Sequence, residues 1–225
     1  MPTIAQTIAH HLLDVQAVRL RPADPFTWSS GWKSPIYCDN RVTLAYPRVR
    51  TYIKHELANL VRTQFPDAQV IAGVATAGIP QGALVADELD LPYCYVRPEP
   101  KKHGMGNQIE GRLDANGRDA PAGNRASPTS RQKVVVVEDL ISTGGSSLKV
   151  VEALRQAGAE VIGLVAIFTY GFATADENFA SAGVKLICLS DYATLVQEAQ
   201  TLNYIPADAI ASLSQWRQNP SEWGK

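Results

Sequence analysis

The chain has 225 residues, with 45% hydrophobic and 19% charged side chains, 21 Lys plus Arg against 22 Asp plus Glu, and a net charge of −1. That length suits one domain, or one domain with a small appendage, and a sizeable core. The ordinary apolar content excludes disorder as the main state, and the charge balance excludes a bulk polyanion binder. Cys38, Cys94 and Cys188 are widely spaced, with no CxxC and no zinc pattern. No apolar run is long enough to span a membrane, and the N-terminus lacks the signature of a secretory signal. The expectation is a cytoplasmic protein with free thiols, binding neither nucleic acid nor membrane.

In chain order, Ile4, Ile8, Leu12 and Val15 recur at helical spacing behind Thr3, a good N-cap, and predict a first helix. The neighbouring His10 and His11 cannot share one helix face and read as solvated. Residues 26–41, FTWSSGWKSPIYCDNR, have no clean period and read as an irregular ribbon or short hairpin. A second helix runs from Pro47 to about Phe65. Strand and helix then alternate: strand 69–75, helix 78–89, strand 93–96, strand 134–137 (four valines), helix 146–158, strand 161–168, strand 184–189, and a mostly helical tail from 191 to 216 broken near Pro206. Near-continuous apolar strands separated by helices predict an α/β fold with a parallel sheet covered on both faces. Two stretches break the rhythm: 97–113, polar with three glycines and two prolines, and 114–132, looser still.

The strongest chemical signal is KVVVVEDLISTGGSSLKV, residues 133–150. An apolar strand runs into Glu138 and Asp139, then Leu140 and Ile141, then Ser142, Thr143, Gly144, Gly145, Ser146 and Ser147 at the start of a helix. In a parallel sheet, ligands bind at the carboxyl ends of strands. A small-residue turn there lets several N–H groups converge at the positive end of the following helix, a phosphate cradle. Acids beside it suit sugar hydroxyls or a developing positive charge. The pair describes a phosphorylated sugar. Walker A and dinucleotide fingerprints are absent. Residues 73–80 end another strand in a small turn, Thr76-Ala77-Gly78. Lys33 stands among Trp28, Trp32 and Tyr37, which fits either a pocket for a planar carboxylate or an ordinary surface lysine. Arg97, Lys101, Lys102 and His103, with Gly104 and Gly106, fit either a loop closing over an anion or a solvated surface.

Residues 134–147 resemble the phosphoribosyl-diphosphate (PRPP) motif of type I phosphoribosyltransferases. Residues 26–41, 73–97 and 100–111 (PKKHGMGNQIEG) resemble the orotate phosphoribosyltransferase family in particular, and the likeness covers nearly the whole chain apart from about 113–132. It implies a type I sheet flanked by helices, with a core at 46–189, a small hood from 1–45 and about 190–225, a flexible catalytic loop at 97–113 and a tolerated insertion at about 114–132. The implied reaction is transfer of the 5-phosphoribosyl group from PRPP to N1 of orotate, giving orotidine 5′-monophosphate and diphosphate in pyrimidine synthesis.

Carried over by position, Arg97, Lys101, His103 and Asp139 are catalytic. PRPP falls to Arg97, Lys101, His103, Glu138, Asp139, Leu140, Ile141, Ser142, Thr143, Gly144, Gly145 and Ser146, and orotate to Ser142, Lys33 and Tyr37. Mg²⁺ is implied, held mainly through PRPP with no direct protein ligand. A homodimer sharing loop 97–113 across subunits is implied as well. Two positions depart from some members: Ser29 and Pro98 stand where those carry lysine. The rival expectations are a transferase of the same fold for another base, which the 26–41 and 100–111 segments disfavour, and a PRPP-sensing regulator without catalysis. The regulator is disfavoured because the N-terminal segment is too short for a helix-turn-helix and the charge is not basic.

Overall fold

The computed structural model describes residues 1–28, 31–99, 108–113 and 131–223. Helix α1 (Ile4–Asp14) opens on a capping box: Thr3 accepts from the Gln6 N–H, and the Gln6 side chain accepts from the Thr3 N–H. Short strands β1 (Val18–Leu20), β2 (Phe26–Thr27), β3 (Lys33–Ser34) and β4 (Ile36–Cys38) follow. β2 and β3 form the expected hairpin, while β4 turns back to pair antiparallel with β1, a strand the sequence reading did not anticipate. A 3₁₀ helix at Asn40–Ala45 leads into α2 (Pro47–Gln64), which starts with proline at its first position.

The remainder runs β5 (Val70–Val74), α3 (Gly78–Leu89), β6 (Tyr93–Val96), β7 (Ile109–Gly111), β8 (Lys133–Ile141), α4 (Gly145–Gln156), β9 (Glu160–Thr169), α5 (Ala173–Ser181), β10 (Leu186–Asp191), α6 (Tyr192–Thr201) and α7 (Ala209–Gln218). Six strands form one sheet in the order β10-β9-β8-β5-β6-β7. Five are parallel. β7 runs antiparallel to β6, at the edge of the parallel sheet that the sequence leads one to expect. It is the return limb of the chain that leaves β6, so it comes back along the strand it left.

The four valines of β8 explain the layering. Val135 and Val137 pack into the core shared with α1, α2 and α3, Val134 and Val136 into the core beneath α4 and α5, and each is fully buried. A strand covered on both faces shows no polar alternation, hence its continuous apolar run. Helix α5 was not anticipated, because only Ala175 and Phe179 of its nine residues are buried, too few to reveal a helical period.

The first and last segments meet. Trp216 on α7 is fully buried, with its ring 5.7 Å from Trp28, 5.7 Å from Tyr170, 5.6 Å from Phe172 and 5.4 Å from Tyr192. Ser190 Oγ donates to the Ala5 carbonyl at 2.8 Å, and α1 lies against α6 and β10.

Candidate active site

Strands β5 and β8 are neighbours, but the chain leaves them toward opposite faces. β5 feeds α3, whose Val85 and Ala86 join the α1/α2 core; β8 feeds α4, whose Val150, Val151 and Leu154 join the other. Such a point opens a crevice at the strands' carboxyl ends. A cleft of about 260 Å³ lies there, lined by Val74 to Ala77 from the β5 side and by Glu138, Asp139, Leu140 and Ser142 to Ser147 from the β8 side. A larger cavity, about 520 Å³, sits between α6 and α7 near Tyr192, Val196 and Arg217. Its described lining holds no acid pair and no small-residue turn, so the chemistry points to the smaller cleft.

The walls follow from local sequence. The Ala75–Thr76 peptide is cis. Gly78 opens α3 where a Cβ would lie 2.7 Å from the Val137 carbonyl and 3.2 Å from Glu138 Oε1, so only glycine lets the helix start this close to β8. Gly144 has φ +80° at the N-cap of α4, and a Cβ there would meet the Phe179 ring. The backbone of 144–147 thus presents the N-terminus of a twelve-residue helix to the cleft. Asn178 Nδ2 holds the turn from behind, donating to the Thr143 carbonyl at 2.9 Å.

The acids belong to β8 itself, which runs past its last partner on β5 at Gly73–Val137. Glu138 is 6% exposed and accepts from the Asp139 N–H at 2.9 Å and from Ser147 Oγ at 3.0 Å. Burial, then the charge of Asp139, pushes its carboxyl well above the ordinary range; burial raises Asp139 as well. The pair therefore resists full ionisation until a ligand offers hydroxyls or positive charge.

Of the residues expected to act, Glu138, Asp139, Leu140, Ser142, Thr143, Gly144, Gly145 and Ser146 come together around the cleft. Ile141 stands in the same segment, but its side chain is fully buried in the core under α4. Arg97 lies just past β6, its Nε donating to Glu110 Oε1 on β7 at 3.2 Å. Lys33 is exposed on β3, donating to Thr27 Oγ1 at 2.9 Å. Tyr37 sits on β4 with its ring 5.5 Å from Phe26 and under the Arg19 guanidinium. None of these three lines the cleft. Lys101, Lys102, His103, Gly104, Gly106 and Ser29 lie outside the described residues. Sequence reasoning missed Ser147 as the donor to Glu138; its only signal was membership of a run of small residues.

The phosphoribosyl transferase domain family matches residues 44–192. The orotate phosphoribosyltransferase of Cytophaga hutchinsonii is 53% identical over 218 residues, 97% of each chain. The chain belongs to the orotate phosphoribosyltransferases. Their type I fold is the fold described above. The solved orotate phosphoribosyltransferase from Aeropyrum pernix is 32% identical, with a TM-score of 0.70 over 88% of this chain and 99% of that one. UMP synthase from Leishmania donovani superposes with a TM-score of 0.72 at 26% identity over 94% of this chain, which spans only 42% of that longer chain. Against this orotate phosphoribosyltransferase fold, the acid pair and the small-residue turn fall within the matched residues, whereas Lys33 and Tyr37 precede them. No described helix is long and apolar enough to cross a membrane.

Proposed function

We propose that the protein transfers the 5-phosphoribosyl group of PRPP to N1 of orotate, yielding orotidine 5′-monophosphate and diphosphate. The observation that carries this reading is the juxtaposition, at one switch point, of an acid pair and a helix-N-terminal turn, in a chain of this family. The N–H groups of 144–147 and the hydroxyls of Ser142, Thr143 and Ser146 take the 5-phosphate. Asp139 takes ribose hydroxyls, with Glu138 buried behind it and Leu140 and Ile141 supplying the strand. The 74–77 turn lies under the diphosphate. Arg97, Lys101 and His103 stabilise the charge that develops as diphosphate leaves an oxocarbenium-like anomeric carbon, so no protein nucleophile is required. Ser142, Lys33 and Tyr37 serve orotate.

Mg²⁺ fits this donor set. Among the described residues no cluster of three metal-ligating side chains exists, and both Glu138 oxygens already accept protein hydrogen bonds. The ion would be held chiefly through PRPP, with Asp139 beside it in the lining of the cleft, and its charge would offset the diphosphate. The cytoplasmic location and a homodimer whose 97–113 loops are shared across subunits belong to the same reading.

The test is to mix protein, Mg²⁺, PRPP and orotate and follow the loss of orotate absorbance, with Lys101→Ala beside the wild type. Turnover, with kcat lowered at least about 100-fold in the variant and KM for orotate little changed, is expected. Turnover with a different base only, or PRPP binding with no turnover, overturns the assignment. Equal kcat in the variant overturns the role of Lys101.

A further inference from the structure

Because β8 outruns β5, the peptide groups of Asp139 must find partners other than that strand. They find two side chains. The Asp139 N–H is taken by Glu138 Oε1 at 2.9 Å, and its carbonyl accepts from Asn40 Nδ2 at 2.7 Å. Asn40 comes from 99 residues away in sequence and from outside the 44–192 family match. It is fully buried. Cys38 Sγ donates to its Oδ1 at 3.5 Å, and Thr43 Oγ1 donates to its backbone carbonyl at 2.6 Å. The amide cannot flip without setting Oδ1 against the Asp139 carbonyl, an acceptor against an acceptor. The Cys38 thiol stays protonated through burial and the nearby Asp139 charge, so it remains a donor.

We infer that Asn40 is a positioning residue for PRPP: it clamps the Asp139 peptide and so aims the Asp139 carboxylate into the cleft, linking the N-terminal segment to the ribose site. β9 still pairs with the other edge of β8 through Ile141–Thr169, and the Asn40 bond secures the edge that β5 leaves open beside the carboxylate. The Asn40 bond fixes the peptide that follows Asp139 and the Glu138 bond the peptide that precedes it, so the residue is held on both sides of its Cα. The inference rests on Asp139 serving the ribose hydroxyls, as proposed above.

The experiment measures steady-state kinetics for both substrates, with thermal midpoints, on Asn40→Ala, Asn40→Asp, Cys38→Ala and Asp139→Ala. Asn40→Asp keeps the shape of the buried side chain without the amide donor, and is read if Asn40→Ala does not fold. Either Asn40 variant is expected to lose about tenfold or more in kcat/KM for PRPP, with KM for orotate within about twofold of wild type. Cys38→Ala, which frees Oδ1 but keeps Nδ2, is expected to lose less. An Asn40 variant that folds with unchanged kcat/KM for PRPP overturns the inference, as does a loss spread equally over both substrates, which a merely structural role would produce. Asp139→Ala separates the two layers. If it leaves PRPP kinetics intact, the role of Asp139 falls; if it impairs them while Asn40→Ala and Asn40→Asp do not, only the role of Asn40 falls.

Discussion

Ser147 Oγ donates to Glu138 Oε2 at 3.0 Å with both residues buried, joining the first turn of α4 to the end of β8 at the floor of the cleft. Ser147→Ala removes this donor and leaves a buried carboxyl oxygen without it. The expected outcome is a loss of about 1–2 kcal/mol in unfolding free energy, measured by urea denaturation. The Glu138 carboxyl should also move further above its ordinary range, since the lost bond favoured its charged form.

The same carboxyl sets a pH dependence. A native pKa raised above the unfolded value means the folded chain binds the proton more tightly. Stability is therefore greatest below the ordinary carboxylate range and falls as pH rises toward the native pKa of Glu138. Asp139, also raised, adds with the same sign, whereas Asp39, lowered by its Arg41 hydrogen bond, opposes it. Glu138→Gln is expected to flatten the decline, so the difference between wild-type and variant stability should shift in the variant's favour from about pH 5 to pH 8. Parallel curves over that range would contradict the assignment of the proton to Glu138.

Gly144→Ala meets two obstacles at once, a φ of +80° and the Phe179 ring 2.5 Å from the new Cβ. A loss of about 1–3 kcal/mol in stability is expected from the crowding. Because 144 caps the helix whose N–H groups face the cleft, PRPP affinity by calorimetry should fall too, and more than in Gly183→Ala, where φ is positive but nothing crowds the site.

Trp216→Ala empties the middle of the aromatic cluster and should cost about 3–5 kcal/mol. Its ring touches Trp28, which precedes the segment carrying Lys33, as well as Tyr170, whose N–H bonds the Ile141 carbonyl at the end of β8. The loss should appear first as a lower Tm. Proteolysis rates are expected to rise in residues 26–38, whose hairpin then lacks its inner packing.

Much of this architecture was legible because burial writes itself into composition. The valines of β8 and the small-residue turn after Ile141 could hardly belong to anything but a doubly covered strand feeding a helix. What stayed hidden depended on partners far away in sequence. Asn40 looked like part of an irregular ribbon; only the fold brings its amide to Asp139. Helix α5 carries too few apolar residues to show a period, and β7 is three residues whose pairing is set by β6. Lys33 had two readings from sequence; the described chain shows it exposed and bonded to Thr27, outside the lining of the cleft.

The meeting of the chain's two ends also orders events during synthesis. When residues 1–185 have left the ribosome, every described wall of the cleft exists, but β10, α6 and α7 do not. The apolar side of α1, with Ile8 and Leu12, then lacks the cover of β10 and α6, the 164–169 strand is still a bare edge, and Trp28 has no Trp216 to receive it. The described walls of the cleft are thus translated before the part that closes the core. A nascent chain stalled at that point exposes the apolar surface and the strand edge that β10, α6 and α7 cover.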